Sequence, residues 1–308
     1  MTAVATLPAV HIALDGSAVP AGWANALTSI LVRQRLSLAT ACEITFSEVL
    51  GERGPAPSIG AALEVTIGDR PPLFSGEVTA LEHSWTRAEG RKVRLRAYDV
   101  LHRLRKTQRV AAQVRFTAGS LARELVAPLG LDVRGPDGPS FTRLIQNRQT
   151  DLDFLTDVCE RSALYFFVER DTLRLFPLQA GDDVRPLTLG ENLREVRLEL
   201  NAETVCDSVT VIGWDPCLVE VHDARVERAR TVPQELATVA ATERTLTDEL
   251  LSDEAQASAL ANGDLARRAA GEVGLWATCV GDPELTPGAA VEVEGVTDGD
   301  GHRAVVTT

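Results

Sequence analysis

The sequence predicts a mainly β, α+β fold organised in two or three domains. The chain has 308 residues, more than one domain of ordinary size. Short segments of alternating apolar and polar residues, separated by glycine and proline turns, dominate residues 9–110 and 184–308. Residues 116–180 differ, because helical periodicity there precedes a short hairpin pattern. The sequence therefore predicts two β-rich regions flanking a small α+β unit.

The first β-rich region predicts a closed or sandwiched antiparallel sheet. Residues 27–46 also allow a helix, since Leu27, Ile30 and Leu31 have helical spacing, but the alternation at Ile44 and Phe46 favours strands. Asp15-Gly16 and Gly68-Asp69 are turn signals. Strands are expected at 10–14, within 27–46, and at 62–67, 73–83 and 92–98.

The middle region predicts two helices and a hairpin. The first helix covers 117–129 and stops at Gly130. The second begins at Thr150, whose hydroxyl can cap free amides, while Asp151 and Asp153 suit the positive end of the helix dipole. Strands at 164–168 and 172–176 are expected to form a hairpin about Arg170-Asp171.

The last region predicts strands around one helix. This helix, at about 252–270, is expected to be capped by Ser252, with Arg267 and Arg268 at its end and Gly271 just beyond it. Trp214 and Pro216 are expected to fix a turn at Gly213-Trp214-Asp215-Pro216. Strands are expected at 193–200, 205–212, 289–295 and 303–308, the last two joined by a turn at 298–301.

Composition excludes several classes of function. The net charge of −13 argues against direct nucleic-acid recognition, which needs a positive surface. No run of 18 apolar residues occurs, so membrane insertion by this chain is not expected. The N-terminus has no basic region typical of a secretory signal, which predicts assembly in the cytoplasm.

Motifs that would indicate catalysis are missing from the sequence. It has no GxSxG, HExxH, GxxxxGK[ST] or GxGxxG pattern, the five histidines lack ligand-like spacing, and the five cysteines form no CxxC pair. Asp151, Asp153 and Asp157 could form a carboxylate cluster, but helix capping accounts for them. Asp298-Gly-Asp-Gly-His302 lacks ligands of a calcium loop and predicts a tight turn. We expect no catalytic, cofactor-binding or metal-binding residues, and no enzyme.

One segment has an unusual charge. Residues 87–115 contain ten Lys or Arg against two acids, in a chain that is otherwise acidic. This pattern is typical of a solvated strand face with a linker. It would also suit an electrostatic docking surface for an acidic partner, including a neighbouring copy of the chain. Under the second interpretation the candidate interface residues are Arg103, Arg105, Lys106 and Arg109.

The order of six stretches resembles the late control gene D proteins of contractile phages and the related hub part of VgrG. The most specific stretches are the Thr-Asp-Leu-Asp-Phe-Leu helix start at 150–155 and the Gly-Trp-Asp-Pro turn at 213–216. The others are Leu73-Phe-Ser-Gly-Glu-Val78 with Leu81-Glu82, Val93 to Leu101, Ser120 to Leu125 leading to Gly130-Leu131, and Gly281-Asp282 with Leu285 and Pro287-Gly288; Gln146-Asn147 precede the helix start.

The resemblance implies two tail-tube-like antiparallel β-barrel domains, at 1–112 and 184–308, with an inserted α/β domain at 113–183. It implies a structural baseplate hub of a contractile injection machine. Three copies form a pseudo-sixfold ring that adapts a hexameric inner tube to a threefold spike. Its partners would be the inner tube protein, a spike protein or downstream spike domain, and baseplate wedge proteins. The alternatives are a tail-associated peptidoglycan hydrolase and a tail-tube or adaptor protein of another ring symmetry.

Overall fold

The computed structural model describes residues 9–47, 57–88, 90–178, 183–228, 236, 239–240, 242–251, 253–296 and 302–308. The chain divides into two compact units, one of Met1–Arg103 with Val168–Arg170 and one of Leu104–Phe167 with Asp171–Thr308. The three-domain division after residues 112 and 183 stays a prediction. Strand dominates the described residues, which confirms the mainly β, α+β fold class.

The first unit is built on one seven-stranded antiparallel sheet in the order β2-β1-β5-β6-β7-β4-β3. The strand predictions are confirmed here, including the choice of strands over a helix within 27–46. Its elements are β1 (Val10–Leu14), β2 (Ser17–Ala18), α1 (Ala21–Asn25), β3 (Leu27–Arg33), β4 (Ala41–Ser47), β5 (Ala62–Ile67), β6 (Phe74–Thr86) and β7 (Gly90–Tyr98).

One face of this sheet forms the core of the first unit. Alternate residues of neighbouring strands are fully buried, among them Ile44, Phe46, Val65 and Leu95. Trp23 of α1 packs edge-on against Phe46, with ring centroids 5.0 Å apart. Each such side chain contributes roughly 1.5–3 kcal/mol by leaving water. The apolar residues at every second position of these strands are therefore the ones that form this core.

The second unit begins with a mixed α/β segment. Thr117 and Thr150 cap its helices through reciprocal hydrogen bonds with Ser120 and Asp153, which confirms the predicted cap at Thr150. Gly130, at φ 75°, ends the first helical segment as predicted. The elements are β8 (Ala111–Thr117), α2 (Ala118–Val126), β9 (Asp132–Arg134), β10 (Ser140–Gln146), α3 (Asp151–Arg161), β11 (Tyr165–Glu169) and β12 (Thr172–Phe176).

The rest of the second unit consists of small sheets and one long helix. The sheets have the orders β13-β19-β20, β14-β18 and β16-β15-β17, and the pairs β13–β19 and β15–β17 are parallel. The elements are β13 (Val184–Thr188), β14 (Leu193–Leu200), β15 (Ser208–Asp215), β16 (Glu220–Glu227), β17 (Glu243–Leu250), α4 (Glu254–Ala270), β18 (Val273–Cys279), β19 (Ala290–Glu294) and β20 (His302–Val305).

Helix α4 covers one face of the β16-β15-β17 sheet. Leu260, Ala261 and Leu265 of the helix pack against Val209 and Val211 of β15. The helix is capped by Asp253, one residue after the predicted Ser252, because the Asp253 side chain accepts a hydrogen bond from the Gln256 amide. Ser252 and the predicted turn at 298–301 lie outside the described residues. Arg267 and Arg268 in the last turn and Gly271 at the end are confirmed.

Candidate assembly surface

The basic strand within 87–115 is flanked by acids. Arg94 of β7 lies 3.4 Å from Glu43 of β4 and 3.6 Å from Glu82 of β6, and Arg96 lies 4.0 Å from Glu82. The acids come from segments distant in sequence, which the antiparallel register places beside the basic strand. Arg94 and Arg96 are therefore paired across the sheet with acidic side chains that lie far away in the sequence.

Arg103, the first candidate interface residue, pairs within the first unit. Its Nε and Nη2 donate to one carboxylate oxygen of Glu77, at 3.2 and 3.0 Å. More than half of the Arg103 side chain is exposed. The guanidinium is thus positioned by Glu77 while remaining accessible at the surface.

Arg109, the last candidate, forms a two-pronged pair with a buried carboxylate. Its Nε and Nη2 donate to the two oxygens of Asp151, at 2.8 and 2.5 Å, and Gln146 Nε2 donates to Asp151 Oδ1 at 2.9 Å. Asp151 is only 2% exposed. Burial opposes ionisation of Asp151, but the hydrogen bonds from Arg109 and Gln146 outweigh it and lower the pKa of the carboxyl. Helix capping alone therefore does not explain Asp151, since the residue anchors Arg109 as well.

Arg105 and Lys106 are exposed where the 3₁₀ helix Val100–Arg105 ends. Arg105, Lys106 and Arg109 belong to the second unit and Arg103 to the first. The docking role of the four residues stays a prediction, and two of them have acidic partners within their own unit.

A buried titratable cluster lies at the start of the same 3₁₀ helix. The Asp99 carboxylate accepts hydrogen bonds from the Thr40 and Leu101 amides, at 2.7 and 3.0 Å. Burial raises the pKa of Asp99 in spite of these bonds. His102 Nδ1 lies 2.7 Å from the Asp99 carbonyl oxygen, and its Nε2 lies 3.8 Å from Glu77. Both residues are closed off from solvent, and the Asp99 carboxylate joins β4 to the helix start.

The Gly-Trp-Asp-Pro turn is fixed by a residue that the sequence analysis did not select. The Asp215 side chain accepts hydrogen bonds from the Cys217 and Leu218 amides, at 2.7 and 3.1 Å, which is the usual role of aspartate in a turn. Trp214 points outward instead and is 43% exposed. The hydrogen bonds therefore assign the turn to Asp215 in place of Trp214, and the role of Pro216 stays a prediction.

Glycine is required at two positions of the resembling stretches. A Cβ at Gly76 would lie 2.2 Å from the Tyr98 carbonyl oxygen, and one at Gly213 would lie 2.5 Å from the Glu249 carbonyl oxygen. Neither backbone can move without disturbing its sheet. These glycines permit close strand approach.

Metal-ligating and thiol groups are dispersed over the described residues. Within those ranges no three His, Cys, Asp or Glu side chains group closely enough to hold a metal ion. The five cysteines are free thiols, and burial raises the pKa of Cys42 and Cys159 to about 12. Among the described helices, none has both the length and the apolar character that a bilayer span requires.

Solved phage tail proteins share the fold. The 43 kDa tail protein of prophage MuSo2 from Shewanella oneidensis superposes with a TM-score of 0.73 at 14% identity, over 97% of this chain and 92% of that one. A tail protein from Neisseria meningitidis MC58 gives 0.72 at 18% identity, over 98% and 91%. Prophage tail protein gp18 from Listeria monocytogenes EGD-e gives 0.58 at 10% identity, over 96% and 88%.

Sequence comparison gives the family. No curated protein matches the chain. A family model described as the Alg8 N-terminal domain matches residues 60–306, most of the chain, and the chain therefore belongs to that family.

Proposed function

We propose that the chain is a structural baseplate hub of a contractile injection machine, of the late control gene D and VgrG type. The observation that carries this proposal is the likeness of the fold, over nearly the whole chain, to the tail protein of prophage MuSo2. A likeness that extends over 97% of one chain and 92% of the other concerns the complete architecture and not a shared motif.

The architecture suits a ring that joins two symmetries. β-rich regions lie on both sides of the α/β segment, so three copies would supply six β-rich regions. Such a trimer can present pseudo-sixfold symmetry to a hexameric inner tube and threefold symmetry to a spike. The proposed partners are the inner tube protein, a spike protein or downstream spike domain, and baseplate wedge proteins, with assembly in the cytoplasm and incorporation into the tail.

The proposed role is non-enzymatic. Its support is the environment of one buried pair of titratable groups: Asp99 and His102 face Thr40, Leu101 and Glu77. Substrate could not reach them without local unfolding. A peptidoglycan-degradation assay on the purified chain tests this part, and release of soluble fragments above a buffer control would favour the hydrolase instead.

Native mass measurement and imaging test the proposal as a whole. We expect the purified chain, alone or with its tube and spike partners, to form particles of three copies with a ring-shaped projection. Six copies would favour a tail-tube or adaptor protein. A chain that stays monomeric at assembly concentrations would contradict the trimeric hub.

A further inference from the structure

The β16-β15-β17 sheet has an apolar outer face. Its inner face packs on α4, but the outer face of the described structure is uncovered. Trp214 pairs with Val221 on one side and with Leu250 on the other, and the adjoining turn adds two more apolar side chains. Monomeric proteins rarely expose large contiguous apolar patches outside interaction sites. The apolar face consists of Ile212, Trp214, Leu218, Val219, Val221 and Leu250, each between 40% and 68% exposed.

The turn of this face holds Val219 in a strained conformation. Val219 has φ 61°, a region that β-branched residues avoid. Hydrogen bonds from the Cys217 and Leu218 amides to Asp215, and from the Val219 amide to the Asp215 carbonyl, maintain the turn. Glycine or asparagine would fit this backbone with less strain. The turn therefore presents an exposed apolar side chain at a backbone conformation that costs stability.

A complementary feature lies in the first unit, at the end of the β6–β7 hairpin. Strand β5 pairs with β6 only over Phe74–Glu77, and β4 pairs with β7 only from Lys92 onward. The end of the hairpin therefore extends beyond its neighbours. There Trp85 is 69% exposed, His83 stacks on it at 5.9 Å, and the Arg91 guanidinium lies 5.9 Å from its ring centroid. We name His83–Arg91, as far as it is described, the tip.

The described part of the tip carries basic groups, and an acidic group lies beside the apolar face. Arg87 and Arg91 are exposed at the tip. Asp223 is exposed on β16, two residues from Val221 and on the same face of the sheet, and no basic group among the described residues forms an ion pair with it. Trp85 offers a rigid aromatic group of the kind that anchors protein interfaces. Apolar contact at the centre with opposite charges at the edge is the usual anatomy of such an interface.

We propose that the tip of one copy docks on the apolar face of the next copy. This inference rests on the proposed function, since it supplies the contact between neighbours in the ring. Each chain carries both halves, so the contact is head-to-tail, and three copies can satisfy every tip and every face when the ring closes. A second copy fits better than an unrelated partner, because the complementary aromatic and basic group is present on the same chain.

Paired variants test the contact. The tip variant combines Trp85→Ser with Arg91→Glu, and the face variant combines Trp214→Ser with Val221→Thr. Trp276→Ser is the matched control, since Trp276 is also an exposed strand tryptophan, 51% accessible, with Arg197 over its ring. Sedimentation velocity should give trimers for the parent chain and the control, and at least tenfold weaker association for each variant alone.

Mixing the two variants gives the decisive result. Each retains one intact half, so an equimolar mixture should form a one-to-one dimer and no ring. Trimers from both variants would overturn the docking proposal while leaving the hub intact. A parent chain that does not trimerise would overturn the hub. If, in addition, the mixture of the two variants forms no dimer, the docking proposal is overturned as well. Variants that trimerise but lose binding of a tube or spike protein would assign the face to that partner and overturn the proposal.

A charge exchange keeps the test valid if a double variant does not fold. Arg87→Glu changes one exposed residue and should weaken trimerisation, whereas Arg87→Glu with Asp223→Arg should restore at least part of the loss. If the single variant trimerises more weakly, the double variant does not recover, and both unfold at the same temperature as the parent chain, the proposed pairing of tip and face is wrong.

Discussion

The basic segment at 87–115 and the apolar face of the β16-β15-β17 sheet differ in how their side chains are satisfied. In the basic segment Arg94 and Arg103 have acidic partners on neighbouring strands, and Arg109 has the buried Asp151. On the apolar face, Trp214 and its neighbours remain exposed to water. Ion pairs satisfied within the chain add little to an association, whereas uncovered apolar area gives it a large driving force. Under the proposed function, charge would guide assembly and apolar contact would supply its free energy.

The largest expected effect concerns the best-satisfied member of the basic segment. Arg109→Met should lower the free energy of unfolding by about 2–3 kcal/mol, because it leaves a buried carboxylate without its cation. Arg103→Met is the control, since the Arg103–Glu77 pair lies at the surface and should contribute less than about 1 kcal/mol. Urea unfolding of both variants measures the difference. If both variants lose the same free energy of unfolding, burial of Asp151 does not make the Arg109–Asp151 pair more stabilising than the Arg103–Glu77 pair.

The same comparison has a predicted pH dependence. The folded-state pKa of Asp151 is lowered, so its pairing stabilises the fold above the unfolded pKa of about 3.9 and is lost as pH falls through the folded pKa. The loss caused by Arg109→Met should therefore shrink as pH falls and Asp151 becomes protonated in the folded state, because a neutral carboxyl no longer needs the cation. The raised pKa of Asp99 acts in the opposite direction but is common to both proteins, so it cancels in the difference. A loss that stays constant between pH 7 and pH 3 would contradict the pairing.

A smaller effect is expected on the apolar face. Val219→Gly removes the strain of a valine at positive φ, worth about 1–3 kcal/mol, at a glycine entropy cost of about 0.5–1 kcal/mol. The free energy of unfolding of the variant should rise by about 1 kcal/mol, so that it unfolds at a higher urea concentration, and its association should weaken. Val221→Gly is the control, because Val221 lies in regular strand and its loss should destabilise the chain. If Val219→Gly lowers the free energy of unfolding as much as Val221→Gly does, the valine does not strain the turn.

The smallest effect is expected at Lys106. Lys106→Glu changes an exposed charge and should alter the unfolding free energy by less than about 0.5 kcal/mol. If the basic segment guides assembly, the variant should slow ring formation at low salt and have no effect at high salt. Stopped-flow light scattering at two salt concentrations measures this. A rate that does not change at low salt would remove Lys106 from the docking surface.

Sequence predicted the first unit well because its strands bury one face, so alternation there reflects burial. The sequence analysis missed β2, β8, β9, β10, β13, β16, β17 and β18. A strand such as β16 (Glu-Val-His-Asp-Ala-Arg-Val-Glu) has mostly polar exposed residues on one side and only partly buried residues on the other. The Thr150 cap was readable because capping is local. The Asp253 cap was missed by one position, since Ser252 is an equally good local candidate.

The sites were less predictable than the fold. Arg109 and Asp151 are 42 residues apart, and their pairing depends on how the chain folds between them. The apolar face unites Trp214, Val221 and Leu250 only through strand register. Asp215 gives a local signal, because an aspartate directly before a turn commonly accepts hydrogen bonds from the turn amides.

The mass of the assembled particle tests the central claim most directly. Native mass spectrometry of the purified chain at assembly concentration should give three times the 33.1 kDa of one chain, and the mass should fall to one chain when the apolar face is substituted. A parent chain that remains at one mass, or that assembles into six copies, would contradict the trimeric hub.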